Sequence, residues 1–299
     1  MTIENVQLLI QIIVSGLAIG SIYALIALGF VVIYKATDIF NFAQGELMMI
    51  GAYLCFTLST QLQLPFIYSF LLTLVFSAIL TIIMEVLVVR PMVGEPMFSA
   101  VMVTVGLSFM IQGIVGLIWG YDEQKLVTPF PDQPVSLGGI VISYAHLWTL
   151  ITTGILLTVF FFFFKYARLG VGMRATAEDT DTAFLMGINV KKIFTLSWVI
   201  AAIIASVGGI FLASVSYVKP IMGSIGLRAF PAVILGGMDS IPGAIVGGLM
   251  IGVTENLAGG YLDHFLGGGV KEITAYVVVI LIMMIRPYGL FGTEEIERV

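Results

Sequence analysis

Apolar residues run in long uninterrupted blocks along this chain, and the polar positions separate the blocks rather than alternating within them. A helix needs about 20 apolar residues to cross a bilayer. The blocks at 6–34, 66–89, 98–119, 147–164 and 193–215 approach or exceed that length, and a last one at 269–285 stops at Arg286-Pro287. The first is long enough to tilt or to begin outside the hydrocarbon, since about 29 residues reach about 43 Å. Membrane barrels instead show short alternating segments, and backbone groups in lipid must pair within their own segment, so helices are expected.

Two blocks are interrupted. Residues 41–54, after a polar break at 35–40, open with Asn41, Gln44 and Glu46 and contain Gly45 and Gly51. Residues 225–257 carry Pro231, Gly236-Gly237, Asp239, Ser240 and Pro242. Proline removes a helix donor and glycine lowers helix propensity. The expectation is a pair of half-helices, with neither 225–235 nor 244–257 crossing alone. The two breaks carry related triplets, Asn41-Phe42-Ala43 and Ala229-Phe230-Pro231. Broken segments in corresponding halves of a chain point to a midplane substrate path and an inverted repeat. The fold class expected is an all-α polytopic membrane protein of about eight transmembrane segments, broken near 36–46 and 225–245, forming one domain over 1–299.

Composition agrees with this reading. Apolar residues are 59% and charged residues 10% of the chain, and mean hydropathy is +1.09. Soluble domains average about 45–50% and about 25%. The 33 glycines allow close helix approach, and Gly16 with Gly20 forms a small-xxx-small face read as packing inside one subunit. No cleavable leader is expected, because the first block is too long.

Charge gathers in one place. Residues 165–192 hold Lys165, Arg168, Arg174, Lys191 and Lys192 with Glu178, Asp179 and Asp181, whereas 120–146 has Lys125 as its one basic residue. The positive-inside rule puts 165–192 and the 90–97 turn in the cytoplasm and 120–146 outside, giving an outer N-terminus and an inner C-terminus with the tail from Thr293 onward. Within the charged loop a short helix over 177–186 is expected, opened by Thr176 and Asp179 as a weak capping box and closed by Gly187. Its apolar end is Phe184, Leu185 and Met186. Two readings stand for it: a solvated connector, or a docking helix for a soluble partner.

Candidate chemistry is sparse. His146 and His264 make no metal pair, Cys55 stands alone, and no phosphate loop or nucleophile elbow occurs. Glu85 is expected to pair with Arg90 at the surface. Glu46 reads either as a cavity-facing group or as a charge at a helix N-terminus. An ion-coupled carrier would use Glu46 or Asp239; a channel would use the glycine-containing break as a filter.

Four stretches carry a family resemblance: GLAIGSIYALIALGF, FNFAQGELMMIGAY, RLGVGMRATAEDTDTAFLMGINVKK and LRAFPAVILGGMDSIPGAIVGGLMIGVTENL. The closing RPYGLFG fits as well. With them the chain resembles, over essentially its full length, the H-type permease subunits of bacterial branched-chain amino acid ABC importers. That resemblance implies a non-enzymatic pore subunit in the inner membrane, with ATP and Mg held by partner subunits and no cofactor in this chain. The implied partners are a second related permease, two cytoplasmic ATPases and an extracytoplasmic binding protein; nucleic acid is not among them. It implies a substrate pathway at Asn41, Phe42, Gln44, Gly45, Glu46, Phe230, Pro231, Gly236, Gly237 and Asp239. It implies ATPase coupling through Arg174, Glu178, Asp179, Phe184, Leu185 and Gly187. Gln44 stands where the family usually has His, and Asp239 where it usually has Gly, so urea or a small organic acid stays open beside the aliphatic amino acids.

Overall fold

The computed structural model describes residues 3–129, 134–137, 140–266 and 268–293. The expected acidic tail, Thr293 itself excepted, lies outside them, as do Pro131 and Gly138-Gly139 of the 120–146 loop. The chain is an all-α polytopic membrane protein. In order come α1 (Ile3–Thr37), α2 (Gln44–Phe56), α3 (Phe66–Met84), α4 (Met97–Trp119), α5 (Tyr144–Tyr166), α6 (Arg168–Glu178) and α7 (Thr180–Leu185). Then follow α8 (Val190–Val215), α9 (Met222–Leu227), α10 (Phe230–Gly236), α11 (Ile241–Leu266) and α12 (Val270–Ile285). A small antiparallel strand pair, Pro134–Leu137 with Ile140–Ser143, interrupts the 120–146 loop.

Among the described residues, six helices are long and apolar enough to cross a membrane: Asn5–Thr37, Phe66–Met92, Met97–Trp119, Tyr144–Tyr166, Val190–Val215 and Ile241–Phe265. The count of about eight is not reached on length and hydropathy, because α2 and α12 are shorter. One expectation is overturned. Residues 241–266 form a single helix of 26 residues, not a half-helix. Pro242 sits in its first turn, where the missing N–H has no partner to lose, and Ser240 Oγ accepts the Gly243 N–H at 3.1 Å. Proline there starts the helix. The true short elements are α9 and α10, with Pro231 likewise in the first turn of α10.

The helices have two ends. At one, Gln124 and Val218 exchange backbone hydrogen bonds of 2.9 and 2.8 Å, Lys219 pairs with Glu123, and the Trp119 indole donates to Thr57. At the other, Lys35 donates to the Asp239 carbonyl, and Leu290 and Phe291 donate to the Leu235 and Gly236 carbonyls. The chain therefore passes from the first end to the second through α9 and α10, and returns through α11.

α1 is the axis of the bundle, with almost every residue from 16 to 33 buried. It lies antiparallel to α11, backbone against backbone: a Cβ at Gly20 would meet the Gly248 carbonyl oxygen at 2.9 Å and Leu249 Cα at 3.0 Å. A Cβ at Gly252 would strike the Gly20 backbone, and one at Gly248 the Ala24 backbone. The Gly16/Gly20 face thus packs within the subunit, as its spacing predicts. The phenylalanine run at 160–164 is not all lipid-facing: Phe160 is buried and stacks on Phe164, while Phe161 and Phe162 are exposed. Glu85 and Arg90 pair at 2.8 Å, but Glu85 is buried rather than at the surface. A π-helical turn at Glu85–Val89 accompanies the pairing, and Thr195 of α8 joins it.

Gly252→Leu is expected to lower the stability of the detergent-solubilised protein by about 1–3 kcal/mol or more, as overpacking does. Gly106→Leu, where a Cβ meets nothing within 4 Å, should change it by less than about 0.5 kcal/mol. Thermal unfolding midpoints of the two variants measure the difference.

Candidate functional site

The two breaks come together at Phe230. Its ring centroid lies 5.9 Å from Phe30, 6.1 Å from Phe40 and 5.8 Å from Phe42, and Phe40 stacks on Tyr34 at 4.5 Å. Aromatic pairs at such separations gain beyond simple burial. The turn 38–43 is held by short-range chemistry. Asn41 Oδ1 accepts the Ala43 N–H at 3.1 Å, and Asn41 Nδ2 donates to Gln44 Oε1 at 3.2 Å. Thr104 of α4 donates to the Phe40 carbonyl and accepts the Phe42 N–H. Gln44 donates in turn to the Ala201 carbonyl of α8 at 3.2 Å.

Of the ten pathway candidates, Phe42, Phe230 and Asp239 keep exposed surface. Asn41, Gln44, Gly45, Glu46, Pro231, Gly236 and Gly237 are buried in this chain. The glycines have a visible purpose. A Cβ at Gly45 would strike the Gly223 carbonyl of α9, and Gly237, at φ +104°, abuts Gly292. Glu46 stands in the first turn of α2, as its helix-terminus reading has it, but there it is buried, with Oε2 unpartnered among the described residues. Asp239 takes no part in the ring contacts: its carboxylate accepts from the Thr293 N–H and hydroxyl, at the end of the bundle where Lys35 lies. There it borders a cleft of about 350 Å³ whose walls include Lys35, Lys165 and Arg174.

The charged loop is two helices rather than the one expected over 177–186. α6 ends at Glu178, and Asp179, extended at φ −158°, caps α7. Its carboxylate accepts the Asp181 and Thr182 N–H groups at 2.9 Å each and the Thr182 hydroxyl at 2.8 Å. These bonds, the Thr182 N–H foremost, hold the carboxyl below the usual range. Thr176 is no capping residue; it sits inside α6 with its hydroxyl on the Gly172 carbonyl. An aspartate that bonds the backbone ahead of it competes with the continuing helix, which is why the break falls there.

Gly187 closes α7 at φ +84°, donating to the Phe184 carbonyl while Ile188 donates to Ala183, both at 3.0 Å. This is a Schellman closure. Arg174 donates to the Phe164 carbonyl and lies over the Phe164 ring, tying α6 to the end of α5. Ala183 is buried, whereas Phe184, Leu185 and Met186 are 69%, 82% and 79% exposed. A rigid, doubly capped turn thus presents an apolar tip.

Sequence reasoning missed Glu255, buried in mid-α11, whose Oε2 accepts the Tyr23 hydroxyl of α1 at 3.0 Å. The signal was there: a carboxylate in an apolar block faces inward by default.

A multi-helix membrane bundle whose two broken segments meet at an aromatic cluster, with a structured polar handle at one end, is a transport permease in class. The comparisons make it specific. The chain belongs to the family described as branched-chain amino acid transport system / permease component, whose model matches residues 12–286. It is 34% identical to the high-affinity branched-chain amino acid transport system permease protein BraD of Pseudomonas aeruginosa, covering 97% of this chain and 98% of that one. It is 31% identical to LivH of Escherichia coli K12, covering 99% of each. The probable LivH of Methanocaldococcus jannaschii is 27% identical, over 92% and 90%.

Asp179→Ala should fray the first turn of α7, because the contribution of the bonds to the Asp181 and Thr182 N–H groups is lost. The contribution is present above the ordinary aspartate range near about 3.9 and is lost as pH falls through the lowered native value. Amide exchange at Asp181 and Thr182, compared in the two proteins, reads it.

Proposed function

We propose that this chain is the transmembrane permease subunit of an ABC importer for branched-chain or related amino acids in the bacterial inner membrane. It works with a second related permease, two cytoplasmic ATPases that bind ATP and Mg, and an extracytoplasmic binding protein. The observation that carries the reading is the apolar tip Phe184-Leu185-Met186 on a turn capped at both ends. Exposed apolar residues on a rigid polar loop mark a protein contact. The tip faces the cytoplasm and docks on an ATPase, with Glu178 and Asp179 beside it; the N-terminus is outside and the C-terminus inside.

Closure of the ATPases pushes α7. Through Arg174 the push reaches α5, and through the buried side of α7 it reaches α8. The Phe230 cluster then repacks, opening a path past Phe42 and Phe230 toward the Asp239 cleft. Asn41, Gln44 and the glycines form the wall that keeps these rings in place. An apolar path suits an aliphatic substrate, and selectivity resides chiefly in the binding protein. An ion-coupled carrier is less favoured, because Asp239 is committed to Thr293. Urea or a small organic acid as substrate is less favoured by the relatives' names.

Leu185→Asp, at an exposed position, should leave the thermal stability of the permease within about 0.5 kcal/mol. It should reduce co-purification of the ATPases by about tenfold or more, the cost of burying an unpaired charge. Unchanged co-purification and uptake would remove the docking role.

A further inference from the structure

Charged side chains collect where α1, α11, α12 and the α9–α10 junction meet. Tyr23 lies fourteen residues before the end of α1 and Glu255 fourteen after the start of α11, so both sit about 21 Å of helix from the cytoplasmic end, inside the bilayer. Tyr23 donates to Glu255 Oε2, and Glu255 Oε1, fully buried, has no hydrogen-bond partner among the described residues. Arg228, between α9 and α10, lies within electrostatic reach of both. It bonds Glu272 of α12 at 2.9 Å, and the two side chains are 30% and 64% exposed. Next to Glu272, Lys271 donates to Asn256 at 3.2 Å. A cleft of about 350 Å³, walled in part by Asn256 and Lys271, opens beside them toward the outer end.

Partly exposed charges at this depth do not face lipid, where they are costly; they face a partner or a watered path. Arg228 and Lys271 are the cations of the set, and Glu255, Glu272 and Asp263, which lines the cleft with Lys271, its carboxylates. An arginine set against a carboxylate, as Arg228 is against Glu272, offers each half of a zwitterion a partner. Arg228 also stands two residues from Phe230, so a ligand head at Arg228 is one short step from the aromatic cluster that would receive an aliphatic side chain.

We propose that Arg228 and Glu272 form a head-group site for a zwitterionic α-amino acid entering from outside, Arg228 taking the carboxylate and Glu272 the ammonium. Glu255 and Tyr23 are positioning residues that hold the Arg228 guanidinium from behind. This rests on the importer reading and names the substrate class that reading left broad.

The test uses the full complex in proteoliposomes with leucine-loaded binding protein, measuring uptake and ATP hydrolysed per leucine delivered. Arg228→Gln is expected to lower uptake about tenfold to a hundredfold, the worth of a charged hydrogen bond, and to raise ATP consumed per leucine by a similar factor. Arg228→Lys should recover much of the loss. Uptake that falls in Arg228→Gln with no rise in ATP consumed per leucine would make the pair purely structural and overturn the proposal, as would wild-type uptake in that variant. If Arg228→Gln fails to assemble, Glu272→Gln, at an exposed position, gives the same readout. Absence of ATP-dependent leucine uptake in the unsubstituted complex would instead overturn the importer reading itself.

Discussion

Everything in this protein depends on how closely α1 and α11 approach. Their glycines meet backbone to backbone, at separations where a single methyl group at Gly20, Gly248 or Gly252 would collide. Lipid offers no hydrophobic drive for helices to associate, so contact of this kind supplies the cohesion instead. Buried along that contact, α1 becomes a fixed axis against which the remaining helices are placed. The same device recurs at smaller scale, with Gly45 against Gly223 and Gly226 of α9, and Gly209 against the Met48 carbonyl of α2.

Fixing the axis fixes the polar groups. Tyr23 and Glu255 face each other only because α1 and α11 touch one turn away at Gly20 and Gly252. The break after α1 delivers Phe40 and Phe42 to Phe230 because Gln44 anchors α2 to α8 and Thr104 anchors the turn to α4. A glycine-packed frame surrounds the two interrupted segments and holds them against each other. The handle at 165–192 has its own stiffness from the Asp179 cap and the Gly187 closure, and Arg174 ties it to the end of α5.

Much of this was legible in the residues. Block lengths gave the long helices, Gly16 and Gly20 announced a packing face, Gly187 a helix end, and the paired triplets around Phe42 and Phe230 an encounter that occurs. The errors were local competitions that spacing does not decide. Pro242 starts a helix because Ser240 caps it, so 241–266 crosses whole. Asp179 wins the backbone N–H groups ahead of it and splits one expected helix into two. Nothing in their spacing announced the partners of Asn41 and Gln44, which bond each other, the Ala43 N–H and the Ala201 carbonyl. Asp239 was placed at the midplane by its neighbours in sequence, while its partner Thr293 is 54 residues away. Glu255 was invisible without α1 beside it.

The central claim is that the tip of α7 faces the cytoplasm and is the surface on which the ATPases act. The chain's one native thiol, Cys55, is buried, so a cysteine introduced at Leu185 can be read against a quiet background. A membrane-impermeant maleimide should label that cysteine in inverted vesicles and leave it untouched in intact spheroplasts, with labelling blocked when the ATPases are bound. Labelling from outside the intact cell would contradict the account.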